Sequence, residues 1–473
     1  MFNKEVYIER RSKLKKEIAK GLALFVANNE ASLNYPDNPY TYRQDSNFSY
    51  FFGLNHPDYV GIIDFESGEE ILFGNEVTID DVIWMGPQPS LSEQGARIGI
   101  NQTKELKNLF DYLKKAKQQG RKIHFLPPYR GDIKIIYSEY LDIPIHSLSE
   151  NASIELIRAV VKLREIKDDL EIAEIEKAIE TAYFMHTTAM KMAKPGMIEQ
   201  ELTGVLEGIS ISGGGPVSFP VILSVDGQTL HNYNHHNVLT EGRMLVVDAG
   251  AQTSNYYASD ITRTTPVGGK FNQRQKEIYE IVLAANMNVI NNVGPNMEYF
   301  KMHTLACRTI IEGLNALGIM KGNVDEALNV GAHYLFMPHG LGHQMGLDVH
   351  DMESFGEDNV GYDEKTPRSK KMGFSGLRLG KTLKPGFVFT DEPGIYFIPK
   401  LIDIFHAEGK FKNFINYDKV ITYKDFGGVR IEDNILITAN GSRVLGRPIP
   451  KTAAEVEATC AAKREWIRMK DFL

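Results

Sequence analysis

The sequence predicts two domains: an α/β domain over residues 1–164 and an α+β domain over residues 165–473. Three observations carry that reading. A chain of 473 residues exceeds what one ordinary core organises. The N-terminal part alternates short apolar runs with helical stretches, whereas the remainder sets long amphipathic segments among Gly-rich and strand-like ones. In that remainder Asp248, Asp260, Glu392 and Glu432 stand at or beside β-type apolar runs, where carboxylates are unwelcome without partners.

The elements follow in chain order. Residues 4–20 have helical spacing with charge on most faces. Leu22–Ala27 (LALFVA) reads as a buried strand, and a polar loop follows up to Pro39. Tyr42–Leu54 (YRQDSNFSYFFGL) leads from an Arg through polar residues into an aromatic cluster. Val60–Phe65 and Glu70–Phe73 flank Glu66-Ser67-Gly68 and predict a hairpin. Lys122–Leu126 and Ile133–Tyr137 read as further strands. The charged run Arg164–Asp169 sets the domain boundary at 164. Ile172, Ile175, Ile179 and Ala182 then recur at helical spacing in a helix reaching about Met192, stopped by Pro195-Gly196.

Ser212-Gly213-Gly214-Gly215 is no phosphate loop, because no Gly-Lys-Ser/Thr follows and Pro216 leads into the strand-like Phe219–Val225. His235 and His236 read as solvated loop residues. Gln275–Val293 and Glu298–Leu317 are helical core segments, with Cys307 as a small buried hydrophobe in the second. Residues 353–382 are Gly- and charge-rich, a long loop suited to a lid or substrate wall. Ala453–Phe472 reads as an amphipathic helix anchored by Trp466.

Composition narrows the function. A net charge of −8 with Lys and Arg interspersed gives no footprint for nucleic acid or an anionic membrane. Two distant cysteines argue against a disulfide framework and for a reducing compartment. The charged N-terminus lacks the apolar region of a signal peptide, and no apolar run approaches a membrane span. A cytoplasmic location is expected.

The chemistry concentrates in four stretches. Leu245–Thr265 (LVVDAGAQTSNYYASDITRTT) predicts a hairpin that brings Asp248 and Asp260 onto adjacent strands. Two buried carboxylates side by side repel, so an ion or a proton must lie between them. Met337–Asp351 (MPHGLGHQMGLDVHD) carries His339, His343 and His350 on a backbone that its glycines make irregular. Thr390–Tyr396 (TDEPGIY) places Glu392 after an apolar run, and Val429–Thr438 (VRIEDNILIT) places Glu432 inside a strand-like alternation. Four carboxylates call for two divalent cations. Oxygen ligands with one imidazole suit Mn²⁺, Fe²⁺, Co²⁺ or Zn²⁺, and metals roughly 3.5–4 Å apart activate water against an acyl bond.

The order DAG…SDITRT, HGLGH, DEPGIY and RIED resembles the pita-bread metallopeptidases. HGLGHQMGLDVHD and FGGVRIEDN are similar to the proline-specific branch, aminopeptidase P and prolidase. In the family the two Asp ligands stand eleven positions apart; here the interval is twelve, the extra residue falling in the Gln252–Asn255 turn. The resemblance implies a pita-bread catalytic domain behind an aminopeptidase P-type N-terminal domain, and a homodimer held partly by the latter. It implies two divalent ions per chain, manganese foremost, on Asp248, Asp260, His343, Glu392 and Glu432. It further implies Glu392 as the proton carrier, with His339 and His350 touching substrate or intermediate. His231, seventeen residues before Asp248, matches a substrate-binding position.

Proline-containing peptides are the implied substrate, cut at the Xaa-Pro bond. A prolidase-like dipeptidase ranks first, because Arg378, fourteen residues before Glu392, matches the carboxylate-binding Arg of prolidases. Aminopeptidase P acting on longer peptides is the alternative, and Arg430 orients substrate in either. A non-catalytic binding protein on this fold, or a creatinase-type hydrolase, lacks the acidic ligand set. Methionine aminopeptidase lacks the N-terminal domain.

Overall fold

The computed structural model describes residues 1–463. Two compact units emerge: Met1–Arg164 together with Met352–Asn359, and Glu165–Asp351 together with the chain from Val360.

The N-terminal unit is built on five strands, β1 (Leu22–Val26), β2 (Val60–Asp64), β3 (Glu70–Gly74), β4 (Gln102–Glu105) and β5 (Ile123–His124), in the order β4-β3-β2-β1-β5. The hairpin predicted around Glu66-Ser67-Gly68 is present, Ile62 facing Ile71. Arg121 closes its turn by donating to Asp64, which also accepts from the N–H groups of Glu66 and Ser67. Ile133–Tyr137, expected as a strand, belongs instead to helix Gly131–Leu141. Its buried residues Ile133, Tyr137 and Leu141 recur every four positions, a helical period that a five-residue apolar window hides. Tyr42–Leu54 resolves into helix Ser46–Phe52, capped by Asp45 and packed through Phe48, Phe51 and Phe52. Helix Ile79–Met85 buries no residue and leaves Ile79, Ile83, Trp84 and Met85 exposed.

The second unit wraps helices around small sheets. Strands β6 (Ile222–Ser224), β7 (Met244–Asp248) and β8 (Thr262–Pro266) form one sheet, with Asp248 opposite Thr262. Strand β9 (Val388–Asp391) ends just before Glu392, and β10 (Gly394–Tyr396) pairs with β11 (Gly428–Arg430). Strand β12 (Asp433–Ile437) lies between β9 and β13 (Ser442–Val444). The single strand expected over Val429–Thr438 is therefore two, in different sheets, and Glu432 sits at the break between them. The core is the apolar face of helices Gln273–Asn292 and Tyr299–Ala316 packed against Phe389, Ile395 and Ile435.

Two further expectations change. His235 is buried, its Nδ1 3.1 Å from the Leu223 carbonyl, because the loop after β6 folds back on that strand. The later part of the predicted lid is tied down. The Gly380 and Lys381 N–H groups donate to Gly361 O, the Tyr362 hydroxyl to Leu377 O, and Lys381 Nζ pairs with Glu165 at 2.6 Å. The terminal helix is described over Ala453–Ala461; Trp466 lies outside the described residues. Among the described residues no helix is long and apolar enough to cross a membrane.

Candidate functional site

The site begins where β7 and β8 part. Both strands are wholly buried, so Asp248 and Asp260 are delivered into the interior rather than to solvent. Asn434 fixes Asp260 from both sides of its peptide: its Oδ1 accepts from the Asp260 N–H and its Nδ2 donates to the Asp260 carbonyl. The Thr262 hydroxyl, at the start of β8, donates to Glu432 Oε2 at 2.7 Å. The break between β11 and β12 thus aims Glu432 at the hairpin.

Gly342 brings His343 in. A side chain at Gly342 would lie 2.0 Å from Thr390 O, so only glycine lets this irregular segment cross β9. The His343 N–H donates to Thr390 Oγ1 and its Nδ1 lies 3.0 Å from Gln344 O. Its Nε2 then faces Asp260 Oδ2 at 3.3 Å and Glu392 Oε1 at 3.7 Å. The His350 ring lies beside it at a tilt, ring centroids 3.9 Å apart.

Donor atoms converge in overlapping sets: Asp248, Asp260 and Glu432; His343, Glu392 and Glu432; and Asp260, His343 and His350, each within 4.8 Å. The electrostatics fit cations. Burial, then the neighbouring Asp248, pushes the Asp260 carboxyl well up, and burial followed by Asp260 does the same to Glu432. Glu392 is pushed up to about 7 by burial and then Asp260, with His343 opposing. Asp248 Oδ1 is buried and accepts no hydrogen bond. Arg430 pairs with the other oxygen, Oδ2, at 2.6 Å. Fully ionised, four carboxylates and one guanidinium would carry three net negative charges in a buried site, and oxygen-rich donors with one central imidazole are what divalent ions require.

The expected substrate residues divide. Arg378 reaches the site, its Nη1 3.5 Å from His350 Nε2. His231, an exposed side chain, shares the electrostatic field of Asp248, Arg430, Arg378 and His350. Arg430, expected to orient substrate, has every guanidinium nitrogen on protein: Asp248, the Tyr396 hydroxyl at 2.8 Å and Thr262 Oγ1 at 3.0 Å. The Tyr396 hydroxyl reaches on to His339 Nε2 at 2.9 Å, while His339 Nδ1 lies 2.7 Å from Gly340 O. Burial, aided by Arg430, depresses His339 to about 3, so it is neutral. Tyr396, Thr262 and Asn434 were not singled out from sequence. All three lie within the recognised motifs, yet hydroxyl and amide side chains there carry no signal until the strands are paired.

The model of metallopeptidase family M24 matches residues 173–439, more than half of the chain. The chain belongs to that family. The model of the aminopeptidase P N-terminal domain matches residues 7–124. Human Xaa-Pro dipeptidase is 31% identical over 469 residues, covering 97% of this chain and 92% of that protein. A probable Xaa-Pro aminopeptidase of Fusarium vanettenii is 34% identical over 428 residues, covering 89% and 88%. Among solved structures, zinc-substituted Escherichia coli aminopeptidase P in complex with product superposes with TM-score 0.80 at 29% identity, covering 98% of this chain and all of that one. Pseudomonas aeruginosa aminopeptidase PepP gives 0.79 at 28% identity, covering 97% and 98%. This M24 chain has the pita-bread catalytic fold behind its N-terminal domain, and divalent metal binding goes with the family.

Proposed function

We propose that this M24 chain is a manganese-dependent Xaa-Pro peptidase, a prolidase-like dipeptidase, acting as a cytoplasmic homodimer. The observation that carries the reading is the convergence of Asp248, Asp260, His343, Glu392 and Glu432 with Arg378 close by. In this reading those five residues hold two divalent ions, which supply charge compensation and Lewis acidity toward water and the scissile carbonyl. Glu392, at the edge of the centre between His343 and His339, carries the proton from water to the leaving nitrogen. That nitrogen is proline's, a tertiary amide without an N–H before cleavage, so recognition must come from other groups. Arg378 meets the free carboxylate that follows proline in a dipeptide, a pairing its planar fork favours. His350 and His231 line the same approach. Arg430 pairs with Asp248 and, through the Tyr396 hydroxyl, sets the His339 ring.

Aminopeptidase P activity on longer peptides is the second reading, favoured by the aminopeptidase P structures that superpose on the whole chain. Assay of the Mn²⁺-loaded protein on Ala-Pro and Ala-Pro-Ala decides: faster release from the dipeptide supports the first reading, and cleavage confined to the tripeptide the second. For the dimer, the uncovered apolar side chains of Ile79, Ile83, Trp84 and Met85 are the supporting observation. Sedimentation at micromolar concentration tests it, and a fully active monomer would count against it.

A further inference from the structure

A second group of metal-ligating side chains converges in the catalytic unit, outside the carboxylate centre. His303 and Cys307 lie one turn apart on helix Tyr299–Ala316, and His333 lies on the short 3₁₀ turn Ala332–Leu335. All three are completely buried, and their donor atoms lie within 4.8 Å of one another. Both imidazoles aim Nε2 at one oxygen, the Gly373 carbonyl, at 2.9 Å from His303 and 3.1 Å from His333. Cys307 Sγ stands 3.7 Å from His303 Nε2.

Glycine is required for this arrangement. Gly373 has φ +84°, and a Cβ there would lie 2.5 Å from His333 Nε2. Phe374 seals the pocket with its ring edge-on to both imidazoles, centroids 5.6 and 5.2 Å away. Burial depresses both histidines to about 4, so they are neutral, the form that ligates.

Two imidazoles crowded onto one carbonyl beside a thiol make a poor hydrogen-bonding cluster but a reasonable coordination sphere. Zinc–nitrogen bonds of about 2.0–2.1 Å and a zinc–sulfur bond of about 2.3 Å at tetrahedral angles separate N from S by roughly 3.5 Å. The observed N–S spacing is 3.7 Å. We propose that His303, Cys307, His333 and the Gly373 carbonyl form a closed zinc site, separate from the carboxylate centre, that fastens the loop carrying Arg378 to the core. On binding, the Cys307 thiol gives up its proton to solvent and the thiolate cancels one of the two added charges. Each imidazole ligates through Nε2 with its proton moved to Nδ1. No redox step is involved. Thiolate and imidazole donors select zinc over the hard ions that suit four carboxylates.

Cobalt(II) separates the two sites, because sulfur-to-cobalt charge transfer in the near ultraviolet requires a thiolate and the carboxylate centre contains no sulfur. Metal-free protein is titrated with Co²⁺ and metal content is counted in parallel. The expected result is three equivalents per chain, one of them accompanied by the charge-transfer band. Cys307→Ser is expected to bind two equivalents without the band; Cys460→Ser is expected to match the wild type. A wild type that saturates at two equivalents without the band overturns the proposal, as does a band that survives Cys307→Ser. Should Cys307→Ser not fold, the wild type and Cys460→Ser decide: the band in both supports the site, and its absence from either refutes it.

Discussion

Replacing Arg378 with Ala removes a cation poised at the substrate side of the centre, and the loss should depend on peptide length. Arg378 Nη1 lies 3.5 Å from His350 Nε2, and the side chain is half-buried. A carboxylate paired with it keeps some contact with water. Charge-assisted hydrogen bonds contribute about 1.5–3 kcal/mol. Partial exposure selects the lower part of that range, about 1.5–2 kcal/mol. At 1.4 kcal/mol per tenfold change, KM for Ala-Pro should rise roughly 10- to 30-fold. Because the pairing is the same in ground and transition states, kcat should stay within about twofold. Steady-state release of proline from Ala-Pro, beside release of Pro-Ala from a proline-second tripeptide such as Ala-Pro-Ala, measures both. Arg378→Lys should recover part of the loss, since a point charge replaces a planar fork. Equal losses for dipeptide and tripeptide, or an unchanged KM for Ala-Pro, would refute the pairing of Arg378 with the proline carboxylate.

Asp260→Ala or Glu432→Ala should abolish turnover and bring bound metal below two ions per chain; a variant that keeps both ions and full activity would remove these residues from the centre. Chelation of the wild type should lower Tm of the catalytic unit, and added Mn²⁺ should restore it, because clustered carboxylates repel when uncompensated; an unchanged melting curve would count against the ion site. Asn434→Ala takes away the two hydrogen bonds that hold the Asp260 peptide and should destabilise by about 1–3 kcal/mol in urea unfolding. Asp64 provides a pH test: burial pushes its carboxyl up, but Arg121 and the Ser67 and Glu66 N–H groups outweigh it and leave the pKa lowered. A lowered folded-state pKa contributes stability above the unfolded value near 3.9 and loses it as pH falls toward the folded value. Asp64→Asn should therefore cost about 1–3 kcal/mol at pH 7, with the gap to wild type closing below about pH 4; a constant gap would assign the effect to packing.

The four acids were legible because each stands at or beside an apolar run, an arrangement the hydrophobic pattern exposes without any coordinates, while their role as ligands rested on the resemblance. The irregular backbone around His343 was legible by its glycines, and the structure supplies the reason: Gly342 must cross β9 with no side chain. The roles of Arg430 and Tyr396 were not. Their partnership joins β10 and β11 to β7, pairings that no local window contains. Ile133–Tyr137 was misread because a short apolar run has too few residues to separate a period of two from one of 3.6. His235 was misread because its partner, the Leu223 carbonyl, is offered by backbone and not by any recognisable side chain.

The strand break at Glu432 has a consequence for the order of events during synthesis. In the chain, 170 positions separate Thr262 from Glu432, its hydrogen-bonding partner. At ribosomal rates that interval lasts roughly 10–30 s, during which the first hairpin exists and its closing acid does not. A nascent chain thus presents Asp248 and Asp260 first, gains His343 and then Glu392, and lacks Glu432 until the end of that interval. The proposed metal centre is complete only when β11 and β12 dock, which closes a long stretch of chain. In the proposed centre, a chain that stops before Glu432 lacks one of its five members.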